Sequence, residues 1–262
     1  MLRSSLEQAT DQIIIRRRLP APFAAARMYV SSEGRLRYLA RGMAQVDPPL
    51  LRLAAETVRP GDAVWDIGAN VGLFTFAAAV AAGPAGSVLA VEPDTMLARL
   101  LCRSAALNRG NAPVDVLPAA VSDDLSVARF HIARQNRSTN HLDGFGTSQT
   151  GGVRATELVP TFTLDWLAAH FAAPDVIKID VEEAEVAVLA GGSRVLGLAS
   201  TIICEVAAHN SAVVRDMLNQ HGYVLYEGDR PSVERVPVVD APPTTLAVRE
   251  SVRPASLPDV PP

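Results

Sequence analysis

The residues able to do chemistry in this chain sit in short stretches at the ends of apolar runs. Asp66-Ile67-Gly68-Ala69-Asn70-Val71-Gly72 follows Ala63-Val64-Trp65 and leads straight into Leu73-Phe74-Thr75-Phe76-Ala77-Ala78. Glycines let a backbone turn sharply and approach a ligand without a Cβ clash. A second apolar run, Ser87-Val88-Leu89-Ala90-Val91, ends on Glu92. An acid at such a strand tip can accept hydrogen bonds from two ribose hydroxyls. Asp123, after Ala119-Ala120-Val121-Ser122, is a candidate acceptor for an adenine amino group, although an Asp after Ser also makes ordinary turns. These features suit an adenosine cofactor with little or no negative charge.

The glycine spacing is Gly68-x-x-x-Gly72, which is not the dinucleotide fingerprint. Asp66 would repel a pyrophosphate. It suits a cation instead, such as the ammonium or sulfonium of S-adenosylmethionine. Gly68, Ala69, Asn70 and Gly72 are therefore expected to cradle that cofactor with Asp66. Further along, Asp175-Val176-Ile177-Lys178-Ile179-Asp180-Val181-Glu182 places Asp180 where open α/β sheets put ligands, outside the carboxyl ends of the strands. Lys178 interrupts an apolar run, so it points to a strand edge or pairs with an acid. Glu182, Glu183 and Glu185 crowd a helix start, where acids are favoured by the exposed N–H groups in any case. Cys204-Glu205 ends another apolar strand, and His209 follows it. Asp180, Glu205 and His209 are the catalytic candidates, His209 as the base that removes a hydroxyl proton. His141 and Glu182 are candidate substrate contacts, and His131 is a lesser one. Carboxylates on neighbouring strands could hold a divalent cation; no essential metal is expected.

The elements that must position these residues alternate. The pattern predicts strands over 63–67, 87–91, 114–118, 176–180, 201–206, 223–227 and 245–249. It predicts helices over 73–82, 95–108, 164–171, 184–196 and 211–221. Strands and helices in this rhythm imply an α/β domain over 61–250, a mostly parallel sheet with helices on both faces. Residues 1–60 read as a helical or irregular lead-in, with Leu50–Ala55 its clearest helical stretch. Residues 125–163 break the rhythm: 127–132 and 153–163 look like strands around a polar, glycine-rich tip. This is expected to be a flap carrying substrate contacts. Prolines accumulate after Arg230, and 251–262 reads as a disordered tail.

Composition narrows the function classes. The chain has 262 residues with 24 Lys and Arg against 28 Asp and Glu, a net charge of −4. That balance argues weakly against nonspecific nucleic-acid binding. Arg16-Arg17-Arg18 is one short basic run, read first as a solvated face or arm and second as a site for an anionic partner. No segment reaches the roughly 18 continuous apolar residues of a membrane span, and residues 1–10 lack a signal-peptide core. A cytoplasmic protein without a membrane partner is expected. The two cysteines, Cys102 and Cys204, read as buried small apolar residues.

Together the motifs resemble the FkbM family of S-adenosylmethionine-dependent methyltransferases. The resemblance is carried by Arg59-Pro60-Gly61-Asp62, Asp66 to Gly72, Glu92-Pro93, Thr163-Leu164-Asp165, Ile177 to Glu182, Ala184-Glu185, Glu205 and Gly222-Tyr223, covering roughly 55–228. It implies a class I methyltransferase Rossmann-like fold with a seven-stranded sheet. It also implies methyl transfer, commonly to a hydroxyl of a sugar, polyketide or other natural product. By this likeness Asp66, Gly68 and Asn70 border the methionine end, Glu92 the ribose, Asp123 the adenine and Asp180 the reaction crevice. Glu183 stands where the family usually has glycine, which allows close approach or a left-handed backbone; its bulk and charge either alter the acceptor pocket or show only that the position is helical and exposed. Two other readings keep the fold: a nucleic-acid methyltransferase, and a cofactor-binding protein without catalysis.

Overall fold

The computed structural model describes residues 13–31, 38, 42–134, 140–146 and 152–249. The expected tail at 251–262 and the tip of the flap lie outside them. The first elements among the described residues form an antiparallel hairpin of β1 (Ile14–Arg18) and β2 (Arg27–Ser31). This corrects the expectation of a helical or irregular lead-in over 14–31, whereas the expected helical stretch Leu50–Ala55 does lie in a helix. The β-branched run Ile13-Ile14-Ile15 and the segment Tyr29-Val30 favour extended backbone. Met28 and Val30 are fully buried from one face of the ribbon.

Helix α1 (Pro48–Thr57) is capped by Asp47, whose carboxylate accepts from the Leu50 amide. Then follow β3 (Ala63–Ile67), α2 (Leu73–Ala82), β4 (Ser87–Val91), α3 (Thr95–Ala105) and β5 (Val114–Leu117). The flap comprises β6 (Ala120–Val121), β7 (Ser126–Ala133), β8 (His141–Leu142) and β9 (Val153–Phe162). After it come α4 (Leu164–His170), β10 (Val176–Ile179), α5 (Glu185–Ala190), β11 (Thr201–Glu205), α6 (Ser211–Gln220), β12 (Tyr223–Glu227) and β13 (Thr244–Arg249). Helix α5 is much shorter than the predicted 184–196. It stops at Gly191-Gly192, where a Cβ would meet the Ser122 carbonyl at 2.3 Å and Leu164 at 2.7 Å.

The main sheet has seven strands in the order β12-β13-β11-β10-β3-β4-β5, all parallel except β13. One face packs on α1, α2, α3 and the hairpin through Leu53, Phe74, Phe76, Leu100 and Met28. The other packs on α4, α5 and α6 through Leu167, Val188, Val214, Trp65 and Ile177. This is the mostly parallel class I methyltransferase architecture, helices on both faces. The flap is a separate four-stranded sheet with its own small core of Phe130, Ile132, Leu142 and Val159. Among the described residues no helix is long and apolar enough to cross a membrane. Cys204 is buried as expected, but Cys102 is exposed on α3.

Candidate active site

A cleft of about 670 Å³, part of it open to solvent, lies at the carboxyl ends of β3, β4 and β10 under the flap. Its polar wall includes Asn70, Glu92, Asp180, Glu182, Asn140 and His141. Its apolar wall includes Val91, Leu97, Ala119, Val121, Phe130 and Leu142.

The floor is the bend after β3. Gly68 has φ +79°, and a Cβ there would lie 1.9 Å from the Asp180 carbonyl oxygen. Glycine is obligatory at this crossing. The Gly68 and Ala69 amides both donate to the Val91 carbonyl, at 2.9 and 3.1 Å, which ties the bend to β4. Asn70, at φ +54°, turns its amide onto the Glu92 carboxylate at 2.7 Å, and its own side-chain oxygen accepts from the Val71 amide. Gly72 does different work from that expected. It does not line the cleft; at φ +92° it starts α2, and a Cβ would strike Phe76 and Leu101. Ala69 is buried and also off the cleft wall.

Asp66 lies beneath this floor rather than in the cleft. It is fully buried, accepts from the Thr75 hydroxyl at 2.5 Å and pairs with Lys178 at 3.1 Å. Lys178 is the hub of the site. Its ammonium also lies 3.3 Å from Asp180 and donates to the Gly68 carbonyl at 3.1 Å. Burial pushes this lysine down, but Asp66, Asp180 and Glu205 outweigh burial and hold it above its usual value. Of the two sequence readings of Lys178, pairing with an acid is the one realised, on a central strand. One cation thus joins the bend after β3 to the end of β10.

Glu92 is only 5% exposed and lines the cleft at the end of β4. Its oxygens accept from the Asn70 and Asp94 amides, at 2.7 and 2.9 Å. Burial pushes its carboxyl up to about 8, against the pull of those two amides. Asp94 was not anticipated. It caps α3 by accepting from the Met96 and Leu97 amides, and it accepts from the Asn140 side chain at 2.9 Å. Asn140 in turn accepts from the Ala133 amide at 2.8 Å, so this pair ties the flap to the rim. The position of Asp94 right after Glu92-Pro93, ahead of a helix, is an N-cap signal that could have marked it.

The turn after β10 resolves the question raised by Glu183. Glu182 and Glu183 have φ +44° and +73°, so the position is left-handed, not helical. Glu185, 2% exposed, accepts from the Glu183 amide at 2.9 Å and from Asn210 at 2.7 Å. Asn210 also donates to the Glu183 carbonyl at 3.1 Å. Glu182 faces the cleft.

The remaining candidates are not gathered here. His209 lies in the 3-10 turn Ala208–Asn210, its side chain 63% exposed and 3.8 Å from Glu183. Glu205 is exposed at the end of β11, and Asp123 is exposed beside Ser122, which donates to it. None of the three lines the cleft. His209 was assigned as base on sequence proximity to the end of β11, and the chain turns outward there. His141 does line the cleft, its ring 5.3 Å from that of His131. His131 is held by Thr156 and Asp143, at 3.0 and 3.2 Å.

The arrangement fits the expected methyl donor. Glu92 is a buried acid lining the cleft, beside apolar residues and together with Asp180 and Glu182. Among similar proteins is the hexuronic acid methyltransferase AglP of Haloferax volcanii, 27% identical over 164 residues, 61% of this chain and 62% of that protein. The match therefore spans less than two thirds of that relative. Similar solved structures include precorrin-6y C5,15-methyltransferase from Geobacter metallireducens, with 12% identity and a TM-score of 0.44, covering 77% of this chain and 87% of that one. Another is Aeropyrum pernix fibrillarin in complex with S-adenosyl-L-methionine, with 12% identity and a TM-score of 0.43, covering 76% and 75%. The pattern of the methyltransferase FkbM domain matches residues 66–225, and the chain belongs to that family.

Proposed function

We propose that the protein methylates a hydroxyl of a small molecule, a sugar first among the candidates. The observation that carries this reading is the convergence of Glu92, Asp180, Glu182 and His141 on one cleft at the carboxyl rim of the sheet. The donor supplies a methyl group on a good leaving group, so positioning provides much of the rate. In this reading Glu92 accepts from the ribose hydroxyls, and Asn70 and Asp180 border the methionine end. Asp66 acts through Lys178, fixing the floor, instead of touching the cofactor. The acceptor hydroxyl enters between Glu182 and the flap. Histidine can take a proton near neutral pH, and His141 replaces His209 as the base. The similarity to a hexuronic acid methyltransferase supports a sugar acceptor, and the free thiols suit a reducing, cytoplasmic setting.

The test is formation of S-adenosylhomocysteine with a panel of sugars, uronic acids, polyketides and RNA. Turnover with a sugar or other small hydroxyl compound is the expected result. Turnover with RNA alone would overturn the acceptor class. Tight cofactor binding with no turnover on any acceptor would favour the non-catalytic reading. His141→Ala is expected to slow transfer by 10²-fold or more, on the order of a lost general base, with cofactor affinity retained in calorimetry.

A further inference from the structure

The outer face of the β1–β2 hairpin carries a feature that methyl transfer does not use. The register pairs Ile14 with Ser31, Arg16 with Tyr29 and Arg18 with Arg27. Side chains alternate along a strand, so Ile14, Arg16, Arg18, Arg27 and Tyr29 share one face. The opposite face holds Met28 and Val30 in the core. From α3, Arg103 lays its guanidinium over the Tyr29 ring at 4.4 Å. Arg16, Arg18, Arg27 and Arg103 are all exposed, and among the described residues no ion pair joins any of them to a carboxylate. Arg99, one helical turn before Arg103, is exposed as well. The chain as a whole carries −4, so this face reverses the local sign.

Arg18 donates to the Ala24 carbonyl within the hairpin turn, and Arg103 covers Tyr29, but the hairpin is held chiefly by other bonds. Backbone contacts pin the hairpin: the Tyr29 amide donates to Ser104 at 2.8 Å, and Asn108 exchanges two hydrogen bonds with the Arg27 backbone. Ile14, 41% exposed, lies at one end of the basic face, and Ile13, 46% exposed, precedes it at the start of the strand. Guanidiniums match phosphate oxygens. RNA or an acidic saccharide would engage the arginines and leave the isoleucines in water. A phospholipid surface engages both, with cations at the headgroups and apolar side chains at the acyl boundary. We propose that this face docks the protein peripherally on an anionic phospholipid bilayer. The expectation of no membrane partner rested on the missing span, and a peripheral contact needs none. Arg103 lies eight residues along α3 from Thr95, about 12 Å at the helical rise, and that end of α3 abuts the cleft. Docking would therefore bring the cleft close to the bilayer.

The test is cosedimentation of the full chain with phosphatidylcholine vesicles, with and without phosphatidylglycerol. Binding is expected only with phosphatidylglycerol and should weaken as salt rises. Arg16→Ser with Arg27→Ser should lower the partition coefficient about thirtyfold, from the typical contribution of two basic residues near an anionic surface. Ile13→Ser with Ile14→Ser should lower it further, with the salt dependence kept. Both pairs are surface changes, so cofactor affinity should be unchanged and serves as the check on folding. Equal binding to neutral vesicles, or none to anionic ones, overturns the proposal. So does heparin or RNA binding that the arginine variant loses while the isoleucine variant retains both it and vesicle binding.

Discussion

Two left-handed turns lie side by side at the rim of the cleft, and they differ in what holds them. The bend after β3 uses glycine at its tightest point, because the Asp180 carbonyl leaves no room for a Cβ at Gly68. The turn after β10 places two glutamates, Glu182 and Glu183, in the same region of backbone space. A non-glycine residue there costs on the order of 1 kcal/mol or more. The second turn persists because Glu185 and Asn210 grip the Glu183 backbone from both sides. The first turn is thus closed to any side chain at Gly68, in addition to its hydrogen bonds to Val91 and Glu92. The second is fixed by hydrogen bonds, and of its two glutamates Glu182 lines the cleft.

The largest way to break this contrast is Gly68→Ala. The methyl would sit 1.9 Å from a backbone oxygen at a φ of +79°, so β3 and β10 would have to separate. A loss on the order of 4 kcal/mol is expected, with cofactor binding abolished. Denaturant unfolding and calorimetry read both. An unchanged midpoint would show that the two strand ends are not in contact.

Lys178→Met attacks the link between the turns. It strands Asp66, which is 0% exposed, and frees Asp180 and the Gly68 carbonyl. Breaking a buried pair from one side typically costs about 3–5 kcal/mol. Adding Asp66→Asn should recover much of that stability but not the cofactor affinity, since Asp180 remains unheld. Full recovery of both would show that Lys178 serves only to neutralise Asp66.

Glu92 gives a pH signature. Its carboxyl is pushed up to about 8 by burial, against an ordinary value of 4.5. A carboxyl raised on folding binds more protons in the native state, so stability is greatest below the unfolded value and falls as pH climbs. Unfolding free energy should decline by up to a few kcal/mol between about pH 5 and 8 from this group. Glu92→Gln should flatten that slope in urea titrations at several pH values. Bound cofactor should reduce it too, because ribose hydroxyls favour the ionised form. A wild-type slope in the Gln variant would place the titration elsewhere.

Much of this contrast could be read in the sequence, for physical reasons. Gly68 and Glu92 sit at the ends of apolar runs, and apolar runs report buried strands directly; Ser87–Val91 and Tyr223–Glu227 fall where the pattern predicts them. Whatever depends on where a side chain turns after leaving the sheet was not legible. Asp66 alternates inward on β3 and so lies under the floor, and His209 follows the turn at Ala208–Asn210 away from the cleft. Asn140 reaches Asp94 only through the pairing of flap strands distant in sequence. The hairpin at Ile14–Ser31 was missed for another reason: the arginines on one face disguised an alternation whose other face holds Met28 and Val30 in the core.

A smaller change sharpens the comparison. Glu183→Gly removes the left-handed penalty while keeping the amide and carbonyl that Glu185 and Asn210 grip. It also removes a weak, exposed contact with His209 at 3.8 Å. A gain of up to about 1 kcal/mol is expected, offset in part by the greater freedom of glycine in the unfolded chain. Cofactor affinity should not move, because Glu183 is not on the cleft wall. Lower stability would mean that the glutamate side chain anchors the turn.

The least effect belongs to His209→Ala. The imidazole is 63% exposed, stands outside the cleft and has Glu183 as its near partner. If the geometry of the rim decides which base serves the acceptor, removing His209 should leave the transfer rate within about twofold, whereas His141→Ala should slow it by the two orders typical of a lost base. The contrast between the two variants matters more than either rate. A slow His209 variant beside a normal His141 variant would place the acceptor on the β11 side of Glu183, and the hydrogen-bonded turn would then separate cofactor from acceptor instead of facing both.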